Sequence, residues 1–307
     1  MTHSISIAGL VKEYDGRRVV DEVGFHVAAG EVYALLGHNG AGKSTIVEIL
    51  EGHRTRMTGD VTVLGMDPAH GGRELRDRIG IVLQSSGIED ELTVTEAVDA
   101  YRACYRRPRP TAEVVAMVGL DEQADQRIGS LSGGQRRRID LALGIVGQPD
   151  VLFLDEPTTG FDPAARRGAW ELVRRLGEGG TTVLLTTHYL DEAERLADRI
   201  GVLSHGVLIA EGTPAELVAR SGRTTVQFGL PDGTPADDLA GLVPRHATVD
   251  ARRVSFVTET PTAAVHAVTS WAVERGLELA DLQVIRPSLE DAFLGLVEPA
   301  DDGDELP

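Results

Sequence analysis

The sequence predicts an α/β domain built on a buried, mainly parallel sheet, followed by a small α+β domain. Three observations carry that prediction. Val32-Tyr33-Ala34-Leu35-Leu36 is a continuous apolar run that leads through a glycine-rich loop into a helical stretch at residues 44–50, the strand–loop–helix order of a parallel unit. Val151-Leu152-Phe153-Leu154 is a second such run, ending in Asp155-Glu156 at the strand edge where ligands of open α/β sheets collect. Beyond Ser221-Gly222 the pattern changes to short strands around one amphipathic helix.

Residues 5–11, in which Ile5 and Ile7 alternate with polar partners, and residues 19–27 predict strands of an antiparallel β edge. The loop after the first buried strand reads Gly37-His38-Asn39-Gly40-Ala41-Gly42-Lys43-Ser44-Thr45. Glycines 37, 40 and 42 permit backbone angles closed to other residues, so successive N–H groups can turn inward around phosphates. The helix start adds partial positive charge. Lys43 would reach the β- and γ-phosphates as a point charge, and the Ser44 hydroxyl would ligate the magnesium ion that accompanies ATP. The alternative, an incidental glycine turn, is disfavoured by the strand and helix on either side.

Residues 79–83 predict another buried strand, followed by Gln84. Thr93-Val94-Thr95-Glu96 is a capping box; it predicts a helix through about Arg106, stopped by Pro108 and Pro110. Cys104, beside Tyr101 and Tyr105, is expected inside that helix as a packing residue. From there to about Gly129 the chain reads as helical with polar breaks. Leu131-Ser132-Gly133-Gly134-Gln135 then opens a helix over about 135–146, whose N–H groups and dipole make a second anion receptor. At the next strand end, Asp155 would hold magnesium, and Glu156 would accept a proton from the water attacking the γ-phosphate, or orient it. Taken alone, Asp155-Glu156-Pro157 reads equally well as a solvated strand end; the phosphate loop decides for chemistry. Asp162 and Pro163 supply an N-cap and a first turn for a helix ending near Gly177. Gly179-Gly180 then turns the chain into the strand 182–187 that precedes His188. Thr213-Pro214-Ala215-Glu216 is a further capping box, with a short helix to about Arg220.

The second domain reads as strands at 224–230, 247–250, 253–258 and 277–285, with a helix at 262–274. Ser288 and Asp291 cap a last helix, and Asp301, Asp302, Asp304 and Glu305 form a solvated acidic tail. This module carries no metal cluster, glycine loop or catalytic pair.

Length and a 42% apolar content allow two domains with full cores. A formal net charge of −18 argues against nucleic-acid binding and against docking on anionic lipid. There is no run of about 18 apolar residues and no n-region or h-region at the start. A soluble, cytosolic chain is therefore expected, and the single cysteine fits a reducing compartment.

These motifs, in this order, closely resemble an ABC transporter ATPase, the nucleotide-binding domain of ATP-binding cassette systems, over about residues 4–219. Residues 37–45 match the family's Walker A loop, 151–156 its Walker B strand and 131–135 its signature motif, which is highly specific. The resemblance implies a P-loop NTPase fold of ABC ATPase type: a mixed sheet core, an antiparallel β edge near the adenine, and an inserted helical subdomain at about 88–135. It implies that Gln84 ligates magnesium and senses the transmembrane partner. It also makes residues 160–163, with Asp162, a D-loop, makes His188 the switch histidine on the γ-phosphate, and places Tyr14 where an aromatic ring stacks on adenine. Alone, Gln84, Tyr14 and His188 would be ordinary surface or core residues; their ordered co-occurrence assigns them. His38 stands where many relatives have proline and Phe161 where they usually have leucine, and neither change removes a donor or a carboxylate.

The resemblance further implies a head-to-tail dimer in which Ser132, Gly133, Gly134 and Gln135 of one copy close over ATP held by the other. Because two acidic chains repel, ATP with magnesium would bridge them. The partner is then a separate transmembrane permease, one of whose short cytoplasmic helices enters a groove near residues 84–98 walled by Ser85, Ser86, Ile88 and Leu92. The chain would lie peripherally on the cytoplasmic side of the cell membrane. Residues 287–293 resemble the C-terminal signature of drug-resistance exporter ATPases of the daunorubicin type, which points to export of drugs, antibiotics or lipid-like molecules. An importer ATPase, a soluble cassette ATPase acting on ribosomes or DNA, and an inactive scaffold are the competing readings. The expected organisation is an ATPase domain at 1–220, an accessory α+β domain at 222–298 and an acidic tail at 299–307.

Overall fold

A computed structural model describes residues 3–82, 87–220, 224–231, 233–235, 239, 241–244, 246–250, 252–285 and 287–297. Gln84, Ser85, Ser86 and the acidic tail lie outside these residues. The chain divides into two compact units, Met1–Pro214 and Ala215–Pro307.

The first unit begins with a hairpin of β1 (His3–Tyr14) and β2 (Arg17–Ala28), both longer than the alternating pattern alone predicts. Its turn residues Asp15 and Gly16 have φ of 50° and 79°, the left-handed pair that matches the twist of a tight hairpin. The central strand β3 (Val32–Leu36) leads into helix α1 (Lys43–Leu50). Next comes β4 (Thr58–Val63), which pairs antiparallel with β1 and completes a three-stranded edge sheet in the order β2-β1-β4. The chain continues through α2 (Gly72–Arg76), β5 (Ile79–Val82), α3 (Val94–Arg102), α4 (Thr111–Met117) and α5 (Gly133–Ile145). It then runs through β6 (Val151–Asp155), α6 (Pro163–Glu178), β7 (Thr182–Thr187), α7 (Leu190–Leu196), β8 (Arg199–Ser204) and β9 (Val207–Gly212).

The six-stranded sheet has the order β5-β6-β7-β3-β8-β9, parallel except for the antiparallel pair β8–β9. Every residue of β3 and β7 is buried, as continuous apolar runs require in a sheet covered on both faces. Ile5, Phe25, Tyr33, Leu35, Ile46, Phe153 and Leu184 belong to one core that joins the two sheets through α1. The register sets Asp155 opposite Thr186 and Leu36 opposite Thr187. The C-terminal ends of β6, β7 and β3 therefore open on one edge. Helix α5 approaches β5 so closely that a Cβ on Gly80 would lie 2.0 Å from the Gly144 carbonyl oxygen. At that crossing backbone packs on backbone.

The capping box at Thr93 and Glu96 is present in full, yet α3 stops at Arg102 rather than about Arg106. Its buried face consists of Val94, Ala97 and Val98, and residues 99–104 that follow are all exposed. Cys104 is therefore not in a helix and not a packing residue; it is exposed. Tyr105 folds back instead, its ring filling the space beside Gly147.

The boundary falls at the first residue of α8 (Pro214–Arg220), and the second unit continues with β10 (Thr224–Gly229), β11 (Thr248–Asp250), β12 (Arg253–Thr258), α9 (Pro261–Glu274), β13 (Ala280–Ile285) and α10 (Leu289–Val297). Its sheet is antiparallel in the order β11-β12-β10-β13. Val226, Phe228, Val254 and Phe256 form a core with Val268 and Trp271 of α9. The strand predicted from residue 277 starts at Ala280, because Leu277 and Leu279 pack against this core instead. At the last helix the Ser288 N–H donates to Asp291 Oδ2 at 2.8 Å, and the Asp291 N–H donates to Ser288 Oγ at 3.1 Å.

Each unit has its own core and one of the two tryptophans, Trp170 in the first and Trp271 in the second. Phe228→Ala should destabilise the second unit by about 3–5 kcal/mol. Urea unfolding of a Trp170→Phe background, followed by Trp271 fluorescence, checks this; an unshifted midpoint would contradict the assignment of Phe228 as a core anchor.

Candidate functional site

The loop between β3 and α1 is shaped by two different glycine requirements. Gly42 has φ 106°, and a Cβ there would meet the Val19 carbonyl oxygen at 2.6 Å. Gly37 does not have a positive φ; its constraint is the Leu203 carbonyl oxygen, 2.4 Å from where a Cβ would sit. Close approach, rather than a forbidden backbone angle, accounts for that glycine. Lys43 turns back over the loop, its ammonium donating to the carbonyl oxygens of Gly37 at 2.7 Å and His38 at 3.1 Å. Burial pushes the Lys43 pKa down, opposed by the charges of Glu156 and Asp155.

A cavity of about 310 Å³ opens beside this loop, lined by Val19, Asn39, Gly40, Gly42, Lys43, Ser44, Thr45, Asp155 and Glu156. Ser44 Oγ lies 3.3 Å from Asp155 Oδ2 across it. Thr186 of β7 organises both carboxylate residues. Its hydroxyl donates to Asp155 Oδ1 at 2.5 Å and accepts the Glu156 N–H at 3.1 Å. Glu156 has φ 46°, an uncommon conformation for a residue with a side chain and one that concentrates at functional sites. It swings the Glu156 carboxylate out of line with the strand toward His188, whose Nδ1 is 3.1 Å from Glu156 Oε1. Thr159 Oγ1 donates to Glu156 Oε2 at 3.3 Å.

The sequence-predicted residues thus fall into two groups. Asn39, Gly40, Gly42, Lys43, Ser44, Thr45, Asp155 and Glu156 line one cavity, Gly37 and His38 hold Lys43, and His188 reaches Glu156. Ala41 is buried beneath the loop in the core. Ser132 and Gln135 instead form the capping box of α5, Ser132 N donating to Gln135 Oε1 at 2.9 Å and Gln135 N to Ser132 Oγ at 3.3 Å. Gly133 and Gly134 begin that helix. Asp162 caps α6 by accepting from the N–H groups of Ala164 and Ala165 at 2.8 and 2.9 Å. The Tyr14 hydroxyl accepts from Arg54 Nη1 at 3.0 Å, and Arg54 in turn pairs with Glu48. Tyr14 is not among the residues lining the cavity.

Sequence reasoning missed Val19, Thr186 and Arg137. Thr186 reads as one more residue of a buried strand, and only its register opposite Asp155 reveals it. Arg137 is buried and donates to three successive carbonyls of the carboxylate loop: those of Asp155 at 3.0 Å, Glu156 at 3.1 Å and Pro157 at 3.2 Å.

Glu51, at the end of α1, is buried among acids. Burial first, then the charges of Asp155 and Glu48, pushes its carboxyl from 4.5 up to about 8. His53 Nδ1 lies 3.2 Å from it. Between those two pH values the native chain holds a proton that the unfolded chain has released, so stability falls as pH rises from about 4.5 through about 8. Glu51→Gln should therefore raise the unfolding free energy by about 1–3 kcal/mol at pH 8.5 and change little at pH 5. Thermal melts at both pH values check this, and a lower melting temperature at pH 8.5 would overturn it.

Comparison with known proteins places these features in context. A family model described as "ABC transporter" matches residues 20–159. A second, described as "ABC transporter domain-containing protein-like, C-terminal domain", matches residues 224–288. The chain is 39% identical to the daunorubicin/doxorubicin resistance ATP-binding protein of Streptomyces peucetius, covering 98% of this chain and 94% of that protein. It is 38% identical to the Nod factor export ATP-binding protein I of Rhizobium meliloti (strain 1021), covering 96% and 88%. Among solved structures, a dimeric bacterial ABC transporter cassette superposes with a TM-score of 0.61 at 26% identity, covering 68% of this chain and 98% of that one.

Proposed function

The chain belongs to the ATP-binding proteins of ABC transporters, and from that premise we propose that it powers an exporter, hydrolysing ATP as a head-to-tail dimer on a separate permease. ATP binding and hydrolysis are the family's activity, and work with a transmembrane subunit is its mode. The observation that supports the catalytic reading most directly is the Glu156 carboxylate, which lies between the Lys43–Ser44 cradle and His188 on one strand edge.

Lys43 would neutralise β- and γ-phosphate oxygens, exchanging its two carbonyl partners for them. Its desolvation strengthens that attraction. Ser44 Oγ and Asp155 are hard oxygen donors 3.3 Å apart, and they fit a magnesium ion, which prefers one or two protein oxygens alongside phosphates and waters. Bound there, the ion would supply charge neutralisation on the phosphates. Glu156 would accept the proton of the attacking water, and His188, in contact with Glu156 Oε1, would donate toward the γ-phosphate. Ser132, Gly133, Gly134 and Asp162 would complete the site on the other copy's ATP, with Tyr14 near its base and Gln84 near its metal.

Relatives named for daunorubicin and doxorubicin resistance and for Nod factor export support outward transport of a drug or lipid-like molecule. No helix among the described residues is long and apolar enough to cross a membrane, so the chain would reach the membrane through the permease. Ile88 and Leu92, both half-buried, would help receive that partner. The acidic balance, −18 overall, favours this over a nucleic-acid role.

Glu156→Gln should lower kcat about 10²- to 10⁴-fold while retaining ATP binding, and should accumulate an ATP-bound dimer detectable by size-exclusion chromatography. Wild-type turnover in that variant would remove Glu156 from the chemistry. Lys43→Ala should weaken binding of ATP or its turnover by at least about tenfold; unchanged binding and hydrolysis would argue against the cradle. ATP-driven uptake of a fluorescent anthracycline into inside-out vesicles containing the chain and its permease tests the export reading, and no ATP-dependent accumulation in the lumen would refute it.

A further inference from the structure

Arg137 sits on α5 one turn beyond the Ser132–Gln135 capping box, and its guanidinium is almost wholly out of water, 6% exposed. Nη2 donates to the carbonyl oxygens of Asp155 and Glu156 at 3.0 and 3.1 Å, and Nε to that of Pro157 at 3.2 Å. Nη1 lies 3.5 Å from Oδ2 of Asp140, which is also buried. A buried guanidinium is costly unless its fork of donors is well satisfied, and here it is satisfied largely by the peptide segment bearing both site carboxylates.

That segment is gripped from two sides. Thr186 of β7 holds the Glu156 N–H and the Asp155 carboxylate, whereas Arg137 of α5 holds the carbonyls. The Glu156 backbone is in its left-handed conformation between the two. Along α5, the same helix ends at its head in Ser132, Gly133 and Gly134 and is pressed onto β5 at Gly80 and Gly144. Tilting the head of α5 about that tight crossing would move the guanidinium and, with it, the peptide that aims Glu156.

We propose that Arg137 is a positioning residue that couples the head of α5 to the Glu156 carboxylate. Resting on the dimeric reading above, this means that ATP of the other copy, closed over by Ser132–Gly134, adjusts the group that acts on ATP in this chain's own cradle. The link runs along the backbone of α5 and through three direct hydrogen bonds to the peptide bearing Glu156, the kind of physical connection that a coupling claim requires. Residues 155–157 thus carry a message between two nucleotides as well as the chemistry at one of them.

The test uses the full chain with Arg137→Lys, which keeps the charge but replaces a planar fork with a compact ammonium unable to serve three carbonyls in the same geometry. The expected result is a kcat about 10- to 100-fold lower, a KM for ATP within about twofold of wild type, and a Hill coefficient for ATP falling toward one. Ser132→Ala combined with Arg137→Lys should lower kcat less than the product of the separate losses. Unchanged kcat and Hill coefficient would overturn the proposal, as would a lower kcat with cooperativity intact or strictly multiplicative effects. If Arg137→Lys does not fold, Asp140→Asn, which loosens the guanidinium while keeping the side-chain shape, should shift the Hill coefficient in the same direction, and an unaltered coefficient would refute the coupling. Wild-type chain showing no cooperative, ATP-driven dimerisation would instead defeat the dimeric reading, so the two failures are distinguishable.

Discussion

Parallel pairing of β6, β7 and β3 is the constraint from which the rest of the site follows. The three strands come from separate parts of the chain, yet their registers set Asp155 beside Thr186 and Leu36 beside Thr187. Each strand ends in a turn of the candidate site: the glycine-rich loop after β3, the carboxylates after β6 and His188 after β7. A one-residue slip in the β6–β7 pairing would turn Thr186 away from Asp155 and leave Glu156 without the hydroxyl that holds its backbone. Buried apolar runs on both faces specify the register, so core packing and the alignment of these residues share one cause.

The electrostatics of the site run against the charge of the whole. A chain of net charge −18 repels both a triphosphate and a second copy of itself at long range, although salt screens that repulsion beyond about 8–10 Å. Binding of a triphosphate at the proposed site would therefore rest on short-range groups: the loop N–H donors, the head of α1 and the Lys43 ammonium, desolvated by burial. Asp155 and Glu156 set two negative charges beside that ammonium. The same desolvation acts on Glu51 at the end of α1, where the charges of Asp155 and Glu48 add to it and raise the carboxyl further.

Buried charged groups also tie the segments around the site together. Glu192 of α7 is fully buried; its Oε1 accepts from Thr158 Oγ1 at 2.7 Å and Trp170 Nε1 at 3.0 Å. It thus joins the helix after His188 to the loop after Glu156 and to α6. Arg137 does the corresponding work from α5. Removing either partner of such a buried contact would strand a polar group in a medium of low dielectric, which makes these contacts stiff connections between the segments that carry function.

The glycine-rich loop, the two buried strands and the capping box at Thr93 and Glu96 were legible in the sequence, because glycine spacing, apolar runs and N-cap chemistry are local and tied to backbone geometry. Local signals also located Lys43, Ser44, Asp155 and Glu156 before any contact between them was known. They failed where tertiary packing overrides propensity: α3 stops once its apolar face is exhausted, Cys104 is exposed, and Leu277 and Leu279 leave their predicted strand for the core of the second unit. Gly37 was recognised for a backbone angle it does not adopt, since the approach of Leu203 from β8 cannot be read along the chain. The sequence by itself determined the glycine-rich loop, the Lys43-Ser44 pair and the Asp155-Glu156 strand end. Only the tertiary structure decided that Thr186 and Arg137 hydrogen-bond the segment bearing those carboxylates, because strand register and helix-to-loop contact join residues far apart in the chain and leave no periodic trace within it.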